Sequence, residues 1–119
     1  MKEIKAFIRT TRLTLILEAL KSAGFYNVTF NTCEGTGTYQ NEEASPSLRF
    51  HITDSELVKL ELVCSANDVD TIVQIITQNG RTNETGDGIV YVSSIERAIK
   101  IKNGQDASSD FNKNKNTKT

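Results

Sequence analysis

"NGRTNETGDGIVYV", residues 79–92, changes character at its middle. Up to Gly88 it is polar and rich in turn-forming residues; from Ile89 it is apolar. A Gly-Asp-Gly placed there is either the turn that feeds a strand or a loop whose backbone N–H groups cradle an anion. The stretch carries no lysine to help hold a phosphate. What lies on either side decides how it is read.

Upstream, Val69, Ile72, Val73 and Ile76 form one helical stripe, opened by Asn67 or Asp68 and closed by Asn79-Gly80. Before that helix, "LVKLELVC" (57–64) alternates, with Val58, Leu60, Leu62 and Cys64 on one side of a strand. Downstream, "GIVYVSSI" (88–95) is a strand, and "ERAIKIK" adds an amphipathic turn or short strand. At the chain start, "EIKAFIR" (3–9) puts Ile4, Ala6 and Ile8 on one face and Phe7 on the other. From Thr11 the period changes: Leu13, Ile16, Leu17 and Leu20 make a helical stripe, with Thr10 or Thr11 to cap it and Gly24 as a left-handed exit. "YNVTFNTCEGTG" (26–37) alternates as a strand does and ends in Gly-Thr-Gly.

Between Thr38 and about Ser55 no period is visible, and a loop of that length in a compact domain is functional or disordered rather than a mere connection. After Asn103 the sequence holds one aromatic residue and almost nothing else apolar, so the tail 103–119 is expected to be disordered. The element order is β-α-β-β-α-β, the α+β pattern of a ferredoxin-like sandwich. Its strands 4–8 and 89–92 carry apolar groups on both faces. Two helices cover only one face, so a partner subunit is expected on the other.

Composition narrows the function. The chain has 119 residues, 14 Lys plus Arg against 15 Asp plus Glu, and a net charge of -1. That balance excludes a general electrostatic footprint for nucleic acid or an anionic membrane. No apolar run is long enough to span a bilayer, and the charged N-terminus lacks a signal-peptide core, so a cytoplasmic location is expected. No motif pairs a nucleophile with a base, so the chain is not read as an enzyme. Cys33 and Cys64 are read as small hydrophobes; with His51 they are the only candidates for a soft metal site.

In this order the segments resemble the PII signal-transduction family. "RTNETGDGIVYV" resembles its B-loop and the strand after it, "MKEIKAFIRTTRL" its opening, "VTFNTCEGTG" its second strand, "VKLELV" its third, and "ERAIKIKNG" its C-loop. The resemblance implies a trimeric domain over residues 1–102, with a T-loop at 38–56, a B-loop at 81–88 and a C-loop at 96–104. It implies an adenine nucleotide (ATP, ADP or AMP) in clefts between subunits, and a T-loop that controls a transporter or an enzyme. By position, Gly35, Thr36 and Gly37 fall at the T-loop base, and Thr29 and Val63 on the adenine side. Gly86, Asp87, Gly88 and Ile89 form the phosphate loop, and Lys100 and Lys102 come from the C-loop. On an extended segment those two lysines would project to one side and meet the same anion.

The departures from the family pattern thin the positive charge. Glu84 and Ile89 stand where the family has B-loop lysines, and Leu57 where it has the lysine that meets 2-oxoglutarate. The C-loop arginines are Lys100 and Lys102, which keep the charge and lose the bidentate fork. Phe50 and Leu48 replace residues modified elsewhere in the family, while Tyr39, Ser45 and Ser47 remain chemically modifiable. A divergent, nucleotide-sensing regulatory trimer is the first expectation. A CutA-like trimer binding divalent metal through Cys33, His51 and Cys64 is the alternative.

Overall fold

A computed structural model describes residues 1–35 and 56–111. Four strands, β1 (Lys2–Arg9), β2 (Thr29–Glu34), β3 (Glu56–Cys64) and β4 (Gly88–Ser94), form one antiparallel sheet in the order β2-β3-β1-β4. Helices α1 (Leu13–Ser22) and α2 (Val69–Gly80) pack on one face. This is the ferredoxin-like α+β sandwich expected from the element order.

The register shows why alternation was informative. Ile4, Ala6 and Ile8 pair with Leu62, Leu60 and Val58 on one side, and Ile4 and Ala6 with Val92 and Val90 on the other. Paired residues in an antiparallel ladder share a face, so these side chains form a single apolar surface. Ile16 and Leu20 of α1 and Ile72 and Ile76 of α2 close over it, each essentially without solvent exposure. Burying one such side chain contributes about 1.5–3 kcal/mol, so this layer is the main source of stability.

Helix entry differs from the sequence expectation. Thr10–Arg12 form a 3-10 turn and α1 begins at Leu13, with no side-chain cap at either turn or helix. A capping side chain must sit on an extended residue, and the extended residue here is Arg9, ahead of both threonines. The same displacement occurs before α2. Ser65 is extended, Ala66–Asp68 form a 3-10 turn, and the Ser65 hydroxyl donates to Asp68 at 3.2 Å. Exit from α1 follows the expectation. Gly24 has φ 96°, and Phe25 N–H reaches back to the Leu20 carbonyl at 2.9 Å, a Schellman closure.

The chain after β4 departs further. Asn103–Phe111 belong to the folded part, although disorder was expected from Asn103. Ile99 bridges to Asp106, Lys100 N–H donates to the Gln105 carbonyl at 2.8 Å, and Ala107 N–H to the Ala98 carbonyl at 2.8 Å. A short hairpin is thereby made, and a 3-10 turn (Ser108–Phe111) follows it. Backbone pairing and one buried Ala107 hold this segment, neither of which leaves a hydropathy signal. Residues 112–119 lie outside the described part.

The second sheet face is open in a single chain. Phe7, Ile89 and Tyr91 project from it, Ile89 and Tyr91 each about half exposed, with the Phe7 and Tyr91 rings packed edge to face at 6.1 Å. This is the doubly apolar surface that the sequence pattern implied.

Candidate functional site

The loop between α2 and β4 is organised around one carboxylate. Asp87 accepts hydrogen bonds from the N–H groups of Thr82 at 2.8 Å and Asn83 at 2.9 Å, and a longer one from Glu84 at 3.4 Å. The Thr82 hydroxyl also donates to it. Asn83 is left-handed at φ 66°, which lets consecutive N–H groups converge. From the sheet, Arg9 donates Nε to Asp87 at 3.0 Å and Nη2 to the Thr85 carbonyl at 2.9 Å. The Thr82 hydroxyl, with the amides and the guanidinium, holds the Asp87 carboxyl well below the usual carboxylate range.

The consequence is chemical. The amides of Thr82, Asn83 and Glu84 are already turned onto the chain's own anion. What the loop can still offer an external phosphate is the backbone beyond them, at Gly86–Ile89. Gly88 is fixed there by space as well as by conformation: at φ 113°, an added Cβ would lie 1.7 Å from the Phe7 carbonyl oxygen. A groove of about 360 Å³ opens beside this loop, between α2 and the ends of β1 and β4. Ile8, Val73, Ile76 and Val90 make its walls apolar, and Arg81 and Asp87 are its charged lining residues.

The expected site residues fall into separate groups. Gly35 follows β2 at the sheet end where Ile8 faces Gly88 and Arg9 faces Leu57. An added Cβ on Gly35 would lie 3.0 Å from Leu57 Cδ1, so both ends of the 36–55 segment start from one tight junction beside Arg9. Gly35 and Gly88 share that end but sit on opposite edges, about 14 Å apart at three strand spacings. Thr29 and Val63 lie further down the sheet, opposite Glu61 and Glu3. Thr36 and Gly37 lie outside the described residues, as do His51 and the other T-loop positions named above. Lys100 and Lys102 are not on an extended segment, because the chain turns at 101–104. Lys100 Nζ instead pairs with Asp110 at 3.2 Å.

Arg9 was missed by sequence reading. A charged residue closing an apolar strand looks like any solvated strand end, and only the fold reveals the loop it grips. The metal alternative loses its ligand set. Cys33 faces Leu57 at one sheet end, whereas Cys64 is buried at the far end of β3, seven residues or about 23 Å along the strand. No group of three metal-ligating side chains occurs among the described residues. Burial pushes the Cys64 thiol up to about 11, so by itself it stays a neutral thiol at physiological pH.

The family model for the nitrogen regulatory protein P-II matches residues 1–105, the sheet and both helices together. The chain belongs to the P-II family. It is 31% identical over 106 residues to nitrogen regulatory protein P-II 2 of Methanothermobacter thermautotrophicus, covering 88% of this chain and 92% of that one. It is 33% identical to the P-II protein of Pyropia yezoensis over 103 residues, 86% and 92% of the two chains. With the P-II protein of Nostoc punctiforme it shares 31% over 106 residues, 88% and 95%. P-II proteins are regulatory trimers that bind adenine nucleotides and act on partners. No helix among the described residues is long and apolar enough to cross a membrane.

Proposed function

We propose that this P-II protein is a cytoplasmic homotrimer that binds an adenine nucleotide between subunits and signals its occupancy to a partner. The partner is a membrane transporter or a metabolic enzyme in nitrogen or related metabolite regulation, engaged through residues 38–56. One observation carries this reading. The anion loop and Gly35 lie at one end of the sheet, while Thr29 and Val63 lie further down, with β3 and β1 separating the edges. Each chain offers two part-sites, and a subunit boundary is where two of them can close around one ligand. The apolar open face of Phe7, Ile89 and Tyr91 supports the oligomer such a boundary requires.

Coupling to the partner follows from the same junction. Leu57 pairs with Arg9, and Arg9 grips Thr85 and Asp87, so the exit of the 38–56 segment and the anion loop share one residue. The ligand preference follows from charge. With Glu84, Ile89 and Leu57 at family lysine positions, the cleft relies on backbone amides, Lys100 and Lys102, and each added phosphate meets fewer cations. A unit charge about 4 Å from another is worth roughly 4 kcal/mol at an effective dielectric of 20 before desolvation is counted, so losing such lysines acts mostly on the triphosphate.

A calorimetric series with ATP, ADP and AMP tests this. ADP and AMP should compete well with ATP, and Lys100→Ala with Lys102→Ala should weaken all three. Absence of adenine nucleotide binding at millimolar concentration would overturn the reading.

A further inference from the structure

We infer that Asp110 is a specificity-determining residue, an internal carboxylate that occupies Lys100 and biases the site against highly phosphorylated ligands. The inference rests on the nucleotide reading and deepens it. Lys100 Nζ lies 3.2 Å from Asp110 Oδ2, both side chains 41% exposed. The pair is built by the fold rather than by chance proximity. Gly104 N–H donates to the Lys100 carbonyl at 2.8 Å, closing the turn, and Ala107 N–H to the Ala98 carbonyl brings the chain back alongside the lysine. Asp106 then accepts from the Ser108 N–H and hydroxyl at 2.8 Å each, and Asp110 N–H donates to the Ala107 carbonyl at 2.9 Å. This succession fixes the 3-10 turn that carries Asp110 (Ser108–Phe111). Lys102 forms no ion pair among the described residues.

Of the two candidate lysines of the C-loop, a phosphate therefore finds Lys102 open and Lys100 already neutralised. It must either displace Asp110 or accept its negative charge nearby. Displacement costs the same for every ligand, but the repulsion grows with ligand charge, so it falls hardest on ATP and least on AMP. The exposed pair is screened by salt, and the bias should fade as ionic strength rises.

The test is a double-mutant cycle read by calorimetry with ATP and AMP on the full chain, using Asp110→Asn, Lys100→Ala and their combination. Asp110→Asn should tighten ATP by about 1.5- to 5-fold, the range an exposed ion pair is worth, and AMP by less. The gain should vanish when Lys100→Ala is present and shrink in 0.5 M salt. Asp110→Ala provides an independent variant, and circular dichroism checks that each one folds.

If Asp110→Asn and Asp110→Ala leave the ATP-to-AMP ratio unchanged while the lysine variants still weaken binding, the nucleotide reading stands and this inference fails. A gain that persists without Lys100 also overturns it, since Asp110 would then act as a diffuse charge. If neither the parent nor any variant binds nucleotide, both readings fall together.

Discussion

Gly88→Ala should be among the most damaging exposed-site substitutions in this protein. The residue opens β4 at φ 113°, where L side chains are strained, and its new Cβ would fall 1.7 Å from Phe7 O and 2.8 Å from Phe7 C. Those atoms are backbone of the inner strand β1, paired on both sides, Phe7 to Lys59 and to Ile89, so they cannot retreat without breaking two ladders. Backbone strain of this kind costs about 1–3 kcal/mol, and forced overpacking adds about 1–3 kcal/mol. The expected loss is therefore about 2–6 kcal/mol against a typical total of 5–15 kcal/mol. Gly104→Ala is the control. It also has positive φ, at 71°, but nothing lies within 4 Å of the added Cβ, so only the left-handed penalty of about 1–2 kcal/mol remains. Urea unfolding at one fixed protomer concentration measures both, because an oligomer's midpoint depends on concentration. A Gly88→Ala midpoint equal to or above that of Gly104→Ala would refute the steric argument.

Other consequences can be checked independently. Arg9→Ala should speed amide exchange at Thr82, Asn83 and Glu84 and weaken nucleotide binding; unchanged exchange would show that the guanidinium does not hold the loop. The lowered Asp87 carboxyl contributes stability that is present above the ordinary carboxylate range near about pH 4 and is lost as pH falls through the folded value. Asp87→Asn should remove that acid-side slope, and an identical acid unfolding profile would contradict it. Cys64, raised to about 11 by burial, should resist thiol reagents at pH 8 until the protein unfolds, and prompt native labelling at that residue would place it elsewhere. With Leu57 in place of lysine, 2-oxoglutarate should not bind in the usual ATP-dependent mode, while Glu84→Lys should shift preference toward ATP. Tight ATP-dependent 2-oxoglutarate binding would show the correspondence at Leu57 to be wrong.

How much of this was legible from sequence depended on periodicity. β1 and β3 alternate because one face is buried, and α1 and α2 carry stripes for the same reason, so the fold and the core could be read from Ile4, Leu60, Ile16 and Ile72 directly. The Gly86-Asp87-Gly88 loop could be located because glycine and a following apolar run leave a local pattern. The role of Asp87 could not, since its partners are amides whose direction depends on the φ of Asn83 and on Arg9, 78 residues away in the chain. The hairpin after β4 was missed because backbone pairing stabilises it with scarcely any apolar burial, and low hydropathy resembles disorder. The Lys100–Asp110 pair was hidden with it. The capping positions were misplaced because extended geometry falls at Arg9, which carries no capping signal, and at Ser65, whose signal competes with those of Asn67 and Asp68 close by.

Native mass spectrometry of the full chain with ADP asks whether nucleotide is held only by an assembly of subunits. A particle of three chains that takes up to three nucleotides is expected, with Lys100→Ala plus Lys102→Ala leaving the three-chain particle intact and lowering its occupancy. A monomer that binds nucleotide by itself, or a trimer that stays empty at millimolar ADP, would contradict a site between subunits.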